Sequence, residues 1–522
     1  MKKIAIVGGG VSGVTTFIEL VKLVAYKSTD QKISITIFNP SEIGPGTVYT
    51  DEDRYLLNME MIDMGGISVS EDTSIDDFYC WVQRNWKEDL EEKYKFDSNT
   101  QDLARFDWTN KNEYVPRGLY GQYVKARYQE GKSLATQKDI IVHENFSTVE
   151  NVKQEDTFLR VDYHEKGAQQ SAYFDKVIIA CGHAYKTSYM KFKATGKYFR
   201  SNEKKKIDEL NNIKDKSIVI QGTSLSACEI ALSLIDKGAK VYMISHHGSL
   251  PAIRLSYNCN YTRKFLTLEN LEKISKGEYF SLYDVWALLK QEIEYAEECV
   301  INWQNEFEPQ DIKKQLADRL AFADKKPQED LKRLSVMMSL FQFDDKQRIY
   351  ERLAREDKEI FIKKYSSLFF NYIAPMPVKI ARKLLLSMEK SVLEVRGGWQ
   401  ACIWKLNQQQ FEVSYTDRND NSNRLYVDYM ISADGQTLDP YDIPLLRHMI
   451  EQGDAMKHPC GGIEIDLNDH HILTEQGKSP HIYALGPMLN GAILTPAGVK
   501  VCIGSARIIA AQIIKEFLLL PL

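Results

Sequence analysis

Gly8-x-Gly10-x-x-Gly13 follows the apolar run Lys3-Ile-Ala-Ile-Val7 and opens a helical pattern that includes Ser12. Glycine at the first position permits a tight turn, and at the second it lets the backbone approach a pyrophosphate. At the third it lets helix and strand pack closely, with the helix N-terminus facing the anion. The chemistry implied is dinucleotide binding; the alternative is a tight glycine turn with no ligand. Gly222-Thr-Ser224-Leu-Ser226-Ala227 relaxes the same spacing, with small residues replacing the second and third glycines. It implies a second dinucleotide site, for a nicotinamide cofactor, or else simple helix–strand packing.

An acid is expected where the second strand ends, to hold the ribose hydroxyls. Asn39 stands there instead. Its amide can still hydrogen-bond a hydroxyl, without charge assistance, and Glu42 is a possible substitute. After the corresponding strand of the second unit come His246, His247 and Arg254, either contacts for a 2′-phosphate or parts of a solvated loop. Other chemistry lacks its signatures. No HExxH, GxSxG or Walker A pattern occurs, and His470-His471 suits a polar turn better than a metal site. Cys80, Cys181, Cys228, Cys259, Cys299, Cys402, Cys460 and Cys502 are scattered, with no C-x-x-C. That argues against zinc, iron–sulfur and secreted disulfide frameworks, and against electron transfer to a redox-active disulfide.

The elements that must position these residues occur twice. Strand, turn, helix and strand run through residue 38, and again from Ser217 to Ile244. Each copy leads to a small meander (141–180 and 391–433) and closes on a buried strand ending in glycine. The closings are Asp175-Lys-Val-Ile-Ile-Ala-Cys181-Gly182 and Asp428-Tyr-Met-Ile-Ser-Ala-Asp-Gly435. A third such strand, His481-Ile-Tyr-Ala-Leu-Gly486-Pro487, precedes a helix expected near Ala497-Gly498. That helix could aim its N-terminus at a bound anion. Residues 251–390 are rich in Lys, Glu, Leu and Ala, with helical periodicity over Ser281–Glu298 and Asp345–Phe361. They read as a mostly helical insertion, either a structural cap or a lid over the site.

The fold class is therefore α/β: two Rossmann-like dinucleotide-binding domains with a mostly helical insertion. The expected division is 1–205 and 441–522 for the first domain, 206–250 and 391–440 for the second, and 251–390 for the insertion. With 522 residues, 43% hydrophobic and 27% charged, the chain has the composition of an ordinary globular protein. A net charge of -5 gives no basic field for nucleic acid. Met1–Val7 is too short an apolar run for a signal peptide, and no stretch reaches a membrane span. A cytoplasmic location is expected.

The chain resembles the FAD–NAD(P)-binding family of bacterial flavoproteins, relatives of the class B flavin monooxygenases and the ornithine and lysine N-hydroxylases. The matching segments are Gly8–Gly13, Ile43-Gly-Pro-Gly-Thr-Val-Tyr49, Leu56-Leu-Asn-Met59, Val115-Pro-Arg-Gly-Leu-Tyr-Gly-Gln-Tyr123, Ile178–His183, Gly222–Ala227 and Tyr483–Pro487. The resemblance implies FAD at the first unit, with Gly44, Gly46, Leu57 and Asn58 near the flavin. Arg117 would lie near the adenine-side phosphates or the ribityl chain. It implies NADPH or NADH at the second unit. Two departures are Asn39 for an acid and Cys181 for a threonine.

A monooxygenase follows first from this resemblance. A C4a-(hydro)peroxyflavin would pass its distal oxygen to a nucleophilic nitrogen or sulfur of a small-molecule substrate. The alternatives are an FAD-dependent amine dehydrogenase or oxidase, and a non-catalytic flavin-binding interaction protein.

Overall fold

The apolar runs become parallel strands buried on both faces. A computed structural model of the chain describes all residues except 27–31, 51–54, 72–73, 75, 86–106, 156, 166, 255–260, 276, 304–310, 324–335, 337–345, 418 and 519–522. Parts of the expected helical insertion, and Cys259, lie outside the described residues. The chain divides into two compact units, Met1–Tyr185 with Gln436–Leu522, and Lys186–Gly435.

In the first unit, β1 (Lys2–Val7) pairs in parallel with β2 (Ile33–Phe38) and β7 (Lys176–Ile179). Next to β2 lies β3 (Ile141–Asn145), and next to β7 lies β17 (Gly477–Ala484), edged by the antiparallel β16 (His471–Thr474). The sheet order is β16-β17-β7-β1-β2-β3. Side chains alternate across it. Ile4 and Ile6 of β1 face a core shared with helices α1 (Val11–Tyr26), α3 (Arg117–Gln137) and α8 (Val499–Leu518). Ala5 and Val7 face the antiparallel meander β4 (Thr148–Glu155), β5 (Phe158–Glu165), β6 (Ala168–Phe174), and helix α7 (Pro444–Glu451). Each fully buried aliphatic or aromatic side chain contributes about 1.5–3 kcal/mol. Helix α2 (Asp77–Asn85) is tied to α3 by Asp77, which accepts from Tyr123 Oη (2.6 Å), Arg127 Nε (3.0 Å) and Arg127 Nη2 (2.8 Å).

The second unit repeats the plan. Its sheet runs β11 (Leu393–Arg396), β10 (Lys240–Ile244), β9 (Ser217–Gln221), β15 (Tyr429–Ser432), β8 (Tyr198–Arg200), all parallel. Helix α4 (Leu225–Asp236) follows β9. A second meander is formed by β12 (Trp399–Lys405), β13 (Gln410–Thr416) and β14 (Ser422–Val427).

Helices fill much of 268–389, notably α5 (Leu282–Glu297) and α6 (Val378–Glu389). Ser281 caps α5, its Oγ accepting from Asp284 N at 3.0 Å. The helical pattern expected over Asp345–Phe361 is interrupted. Lys346–Glu351 and Arg355–Ile360 are separate helices. Between them, Arg352 O accepts from Phe280 N (2.6 Å) and Ala354 N donates to Phe280 O (2.9 Å). Those main-chain groups serve a bridge to Phe280 rather than a continuous helix.

Candidate functional site

The first turn has the geometry that its glycines demand. Gly8 has φ +113°, and a Cβ there would lie 2.1 Å from Ala180 O. At Gly13 a Cβ would lie 1.8 Å from Gly8 O, so helix α1 approaches its own turn as nothing larger allows. At Gly10 a Cβ would meet only Gly46 Cα, at 3.5 Å. The turn thus has strict backbone demands at its ends and room at its middle.

The segments expected near a flavin come together around this turn. Gly44 N donates to Gly9 O (2.8 Å), which seats the loop 43–49 on the turn, and Gly46 faces Gly10 at φ +59°. Helix α3 presses on that loop at Gly121, where a Cβ would lie 2.1 Å from Tyr49 O. Leu57 N donates to Val115 O (2.8 Å), and Arg117 donates through its main chain to Tyr55 O and through Nε to Leu56 O. Leu57 is buried and Asn58 half-buried beside them. Arg117 therefore fastens 55–57 to the start of α3.

The C-terminal tail reaches the same place. Leu485 N donates to Ile179 O, and a Cβ on Gly486 (φ +94°) would lie 3.1 Å from Ser12 Oγ. Pro487 begins a short buried turn, Pro487–Leu489. Helix α8 starts at Val499, and its Cys502 Sγ accepts from Ser12 Oγ at 3.3 Å. Residues 490 apart in sequence thus meet at the fingerprint turn. Cys181 and Gly182 (φ +78°) follow β7, and Cys181 N lies beside Gly8. Burial pushes the Cys181 thiol up to about 12, so it stands there as a neutral group.

Asn39 is engaged within the loop. Its Oδ1 accepts from Gly9 N (3.0 Å), and its Nδ2 donates to Ser41 O (2.9 Å) and Glu42 O (3.2 Å). Glu42 pairs with Lys125 at 2.7 Å. These two residues line the rim of a cleft of about 560 Å³ at the carboxyl ends of β2 and β3, with Trp81, Tyr128, Glu144 and Phe146. Its volume falls within the usual range for a small-ligand pocket. Sequence reading missed Lys125, Trp81 and Phe146, because no short motif connects α2, α3 and the end of β3. It also missed Tyr120, which is fully buried against Tyr49 and Phe78 with no hydrogen-bond partner for its hydroxyl among the described residues.

In the second unit Gly222 has φ +127°, and a Cβ there would lie 2.2 Å from Ala433 O. Ser224 is exposed at the N-cap of α4, Ser226 is half-buried and Ala227 is buried. His246 and His247 are exposed just beyond β10, whereas the Arg254 side chain is buried. His470 (φ +64°) closes a polar turn, its N donating to Asp466 O at 2.7 Å, and both His470 and His471 are buried. His471 Nδ1 lies 2.9 Å from Asp469 Oδ1, and its ring packs on Tyr483.

The residues present fit two dinucleotides. Two strand-to-helix turns carry backbone that any Cβ at Gly8 or Gly222 would obstruct, and the first has an open middle glycine and a neighbouring cleft. Among the described residues no cluster of metal-ligating side chains occurs, and no helix is long and apolar enough to cross a membrane.

Residues 5–184 match the FAD-NAD(P)-binding family model, and residues 104–306 match the pyridine nucleotide-disulphide oxidoreductase model. The uncharacterized protein YdhS of Escherichia coli (strain K12) is 23% identical over 508 residues, 87% of each chain. The ornithine hydroxylase PvdA of Pseudomonas aeruginosa matches with TM-score 0.59 at 13% identity, covering 99% of both chains. The ornithine N-hydroxylase of Kutzneria sp. 744 matches with TM-score 0.57 at 11% identity, covering 98% of this chain and 99% of that one. These similarities establish a shared fold. With two glycine turns of one geometry and the two family matches, the chain is an FAD/NAD(P)-binding flavoprotein of the oxidoreductase class.

Proposed function

We propose that the chain is a monooxygenase in which NAD(P)H reduces FAD, and that it oxygenates a nucleophilic nitrogen or sulfur of a small molecule. The observation that carries this reading is the duplicated dinucleotide turn, Gly8 against Ala180 and Gly222 against Ala433. An oxidase or dehydrogenase driven by its substrate has no use for a second nucleotide site. The whole-length likeness to two ornithine hydroxylases favours an amine as the nucleophile.

In this reading Gly8, Gly10, Ser12 and Gly13 hold the FAD pyrophosphate through main-chain N–H groups and the α1 N-terminus. Gly44, Gly46, Leu57, Asn58, Arg117, Cys181, Gly182, Gly486 and Pro487 border the rest of the cofactor. Asn39 shapes the turn by holding Gly9, and the cleft at Lys125 and Phe146 receives the adenosine half. Gly222, Ser224, Ser226 and Ala227 hold the NAD(P)H pyrophosphate. Bound FAD supplies two-electron transfer from the nicotinamide and activation of O2. Burial keeps the thiol of Cys181 and the hydroxyls of Tyr49 and Tyr120 protonated, so these groups bring no added negative charge beside the flavin.

The test is oxygen uptake by the FAD-loaded protein with NADPH or NADH, screened over ornithine, lysine, diamines and thioethers. A monooxygenase consumes one O2 and one NAD(P)H per oxygenated product, and the product gains one oxygen by mass. Oxidation of an amine to an imine without nicotinamide would replace this reading with the oxidase.

A further inference from the structure

The two units match bond for bond around their turns. Gly8 N donates to Phe38 O and Gly222 N to Ile244 O, both at 2.8 Å. Ala180 N donates to Val7 O and Ala433 N to Gln221 O, again both at 2.8 Å. Gly182 and Gly435 both have positive φ, +78° and +89°. This equivalence aligns residue with residue. Asn39 corresponds to Ser245, so neither copy carries an acid where the second strand ends. Cys181 corresponds to Asp434. The first copy places a neutral thiol after its closing alanine, and the second places a carboxyl group there.

Asp434 is more than half buried, and its carboxylate has no side-chain hydrogen bond or ion pair among the described residues. Lys186, whose Nζ donates to Asp434 O (3.1 Å), and His246 beyond the end of β10 lie within electrostatic reach. Asp434 therefore stands just past the carboxyl end of β15, next to the end of β9, where Ala433 N donates to Gln221 O. In the order β11-β10-β9-β15-β8, strands depart in both directions from β9, and a dinucleotide lies across that switch point. Its adenine half falls toward β10, where Ser245 and the exposed His246 and His247 stand. Its other half falls toward β15.

We propose that Asp434 binds the nicotinamide half of NAD(P)H by accepting hydrogen bonds from that half's ribose hydroxyls. This rests on the reading that the second unit holds NAD(P)H. The acid absent from the β10 end is thus supplied at the β15 end, on the opposite ribose. A charge-assisted acceptor of this kind contributes about tenfold or more in affinity. An acid-free β10 end also spares a 2′-phosphate any repulsion there.

The experiment titrates NADP+, NAD+ and the adenine-half fragments 2′,5′-ADP and ADP into FAD-loaded wild type, Asp434→Ala and Asp434→Asn by calorimetry. Flavin content and Tm serve as controls for folding. The expected result is at least tenfold weaker dinucleotide binding in Asp434→Ala, with a smaller loss in Asp434→Asn. Fragment affinity stays within about twofold, because the fragments lack the second ribose. A general disturbance of the turn would weaken fragment and dinucleotide together, and that outcome overturns the proposal. So does unchanged or tighter dinucleotide binding in both variants. Failure of the wild type to bind either dinucleotide would instead sink the NAD(P)H assignment itself.

Discussion

At the scale of single residues, the fingerprint turn separates two demands. Gly8 serves the fold: φ +113° and a Cβ 2.1 Å from Ala180 O make any side chain clash. Gly8→Ala is expected to destabilise the protein by about 2–4 kcal/mol, read as a lower denaturant midpoint. Gly10 serves the ligand, since the protein itself leaves it room. Gly10→Val should fold yet purify without FAD, judged from the ratio of flavin to protein absorbance; full occupancy would contradict the site. Asn39 shows where a local rule misleads. Its position invites Asp as an improvement, but Nδ2 donates to two carbonyl oxygens. Asn39→Asp would turn those bonds into oxygen–oxygen repulsions, costing about 1–3 kcal/mol in unfolding free energy. Tighter FAD binding at unchanged stability would refute that account. Gly8, Gly13 and Gly222 were legible in the sequence because only glycine suits their backbone. The Ser12–Cys502 contact was not, since no spacing rule links residues so far apart.

At the scale of elements, long-range polar contacts position what the glycines leave free. Asp77 and Arg127 are both buried, and each satisfies the other across α2 and α3. Asp77→Ala leaves Arg127 with Glu130 alone, 2.6 Å from Nη1, and takes from Tyr123 Oη its acceptor, at an expected cost of about 2–4 kcal/mol by chemical denaturation. A loss below about 1 kcal/mol would mean that α3 is held in place by apolar packing alone. The last turns of α8 are pinned by Glu516, which contacts Lys176 and accepts from Tyr483 Oη at 3.0 Å. Burial alone would raise its carboxyl, but hydrogen bonds from His471 and Lys176 hold it down to about 2. A depressed carboxyl stabilises the fold above the unfolded value, near 4.3, and that stability drains away as pH falls toward 2. Discounted for partial exposure, the effect is roughly 1–2 kcal/mol. Glu516→Gln should therefore lose stability at pH 7 and approach wild type near pH 2. Parallel stability curves would show that the group does not contribute. Sequence periodicity located α1, α5 and the strands. It ran past the break at Arg352–Ala354, because the competing partner, Phe280, lies on a distant segment.

At the scale of the whole molecule, the chain uses one plan twice. The repetition was readable because both copies need the same backbone: an apolar strand, a tight turn of small residues, and a closing strand ending in positive-φ glycine. The two closing runs of equal length already set Cys181 against Asp434 in the sequence, whereas the pairing of Asn39 with Ser245 needed the matched bonds Gly8 N to Phe38 O and Gly222 N to Ile244 O. The proposed electron path runs from a nicotinamide nucleotide on the second unit to FAD on the first. The most direct measurement is the absorbance spectrum of the purified protein under anaerobic conditions, before and after adding NADPH and then NADH. The expected result is a flavin absorbance band that bleaches with at least one nucleotide and returns when air is admitted. A flavin band that neither nucleotide bleaches would contradict the account.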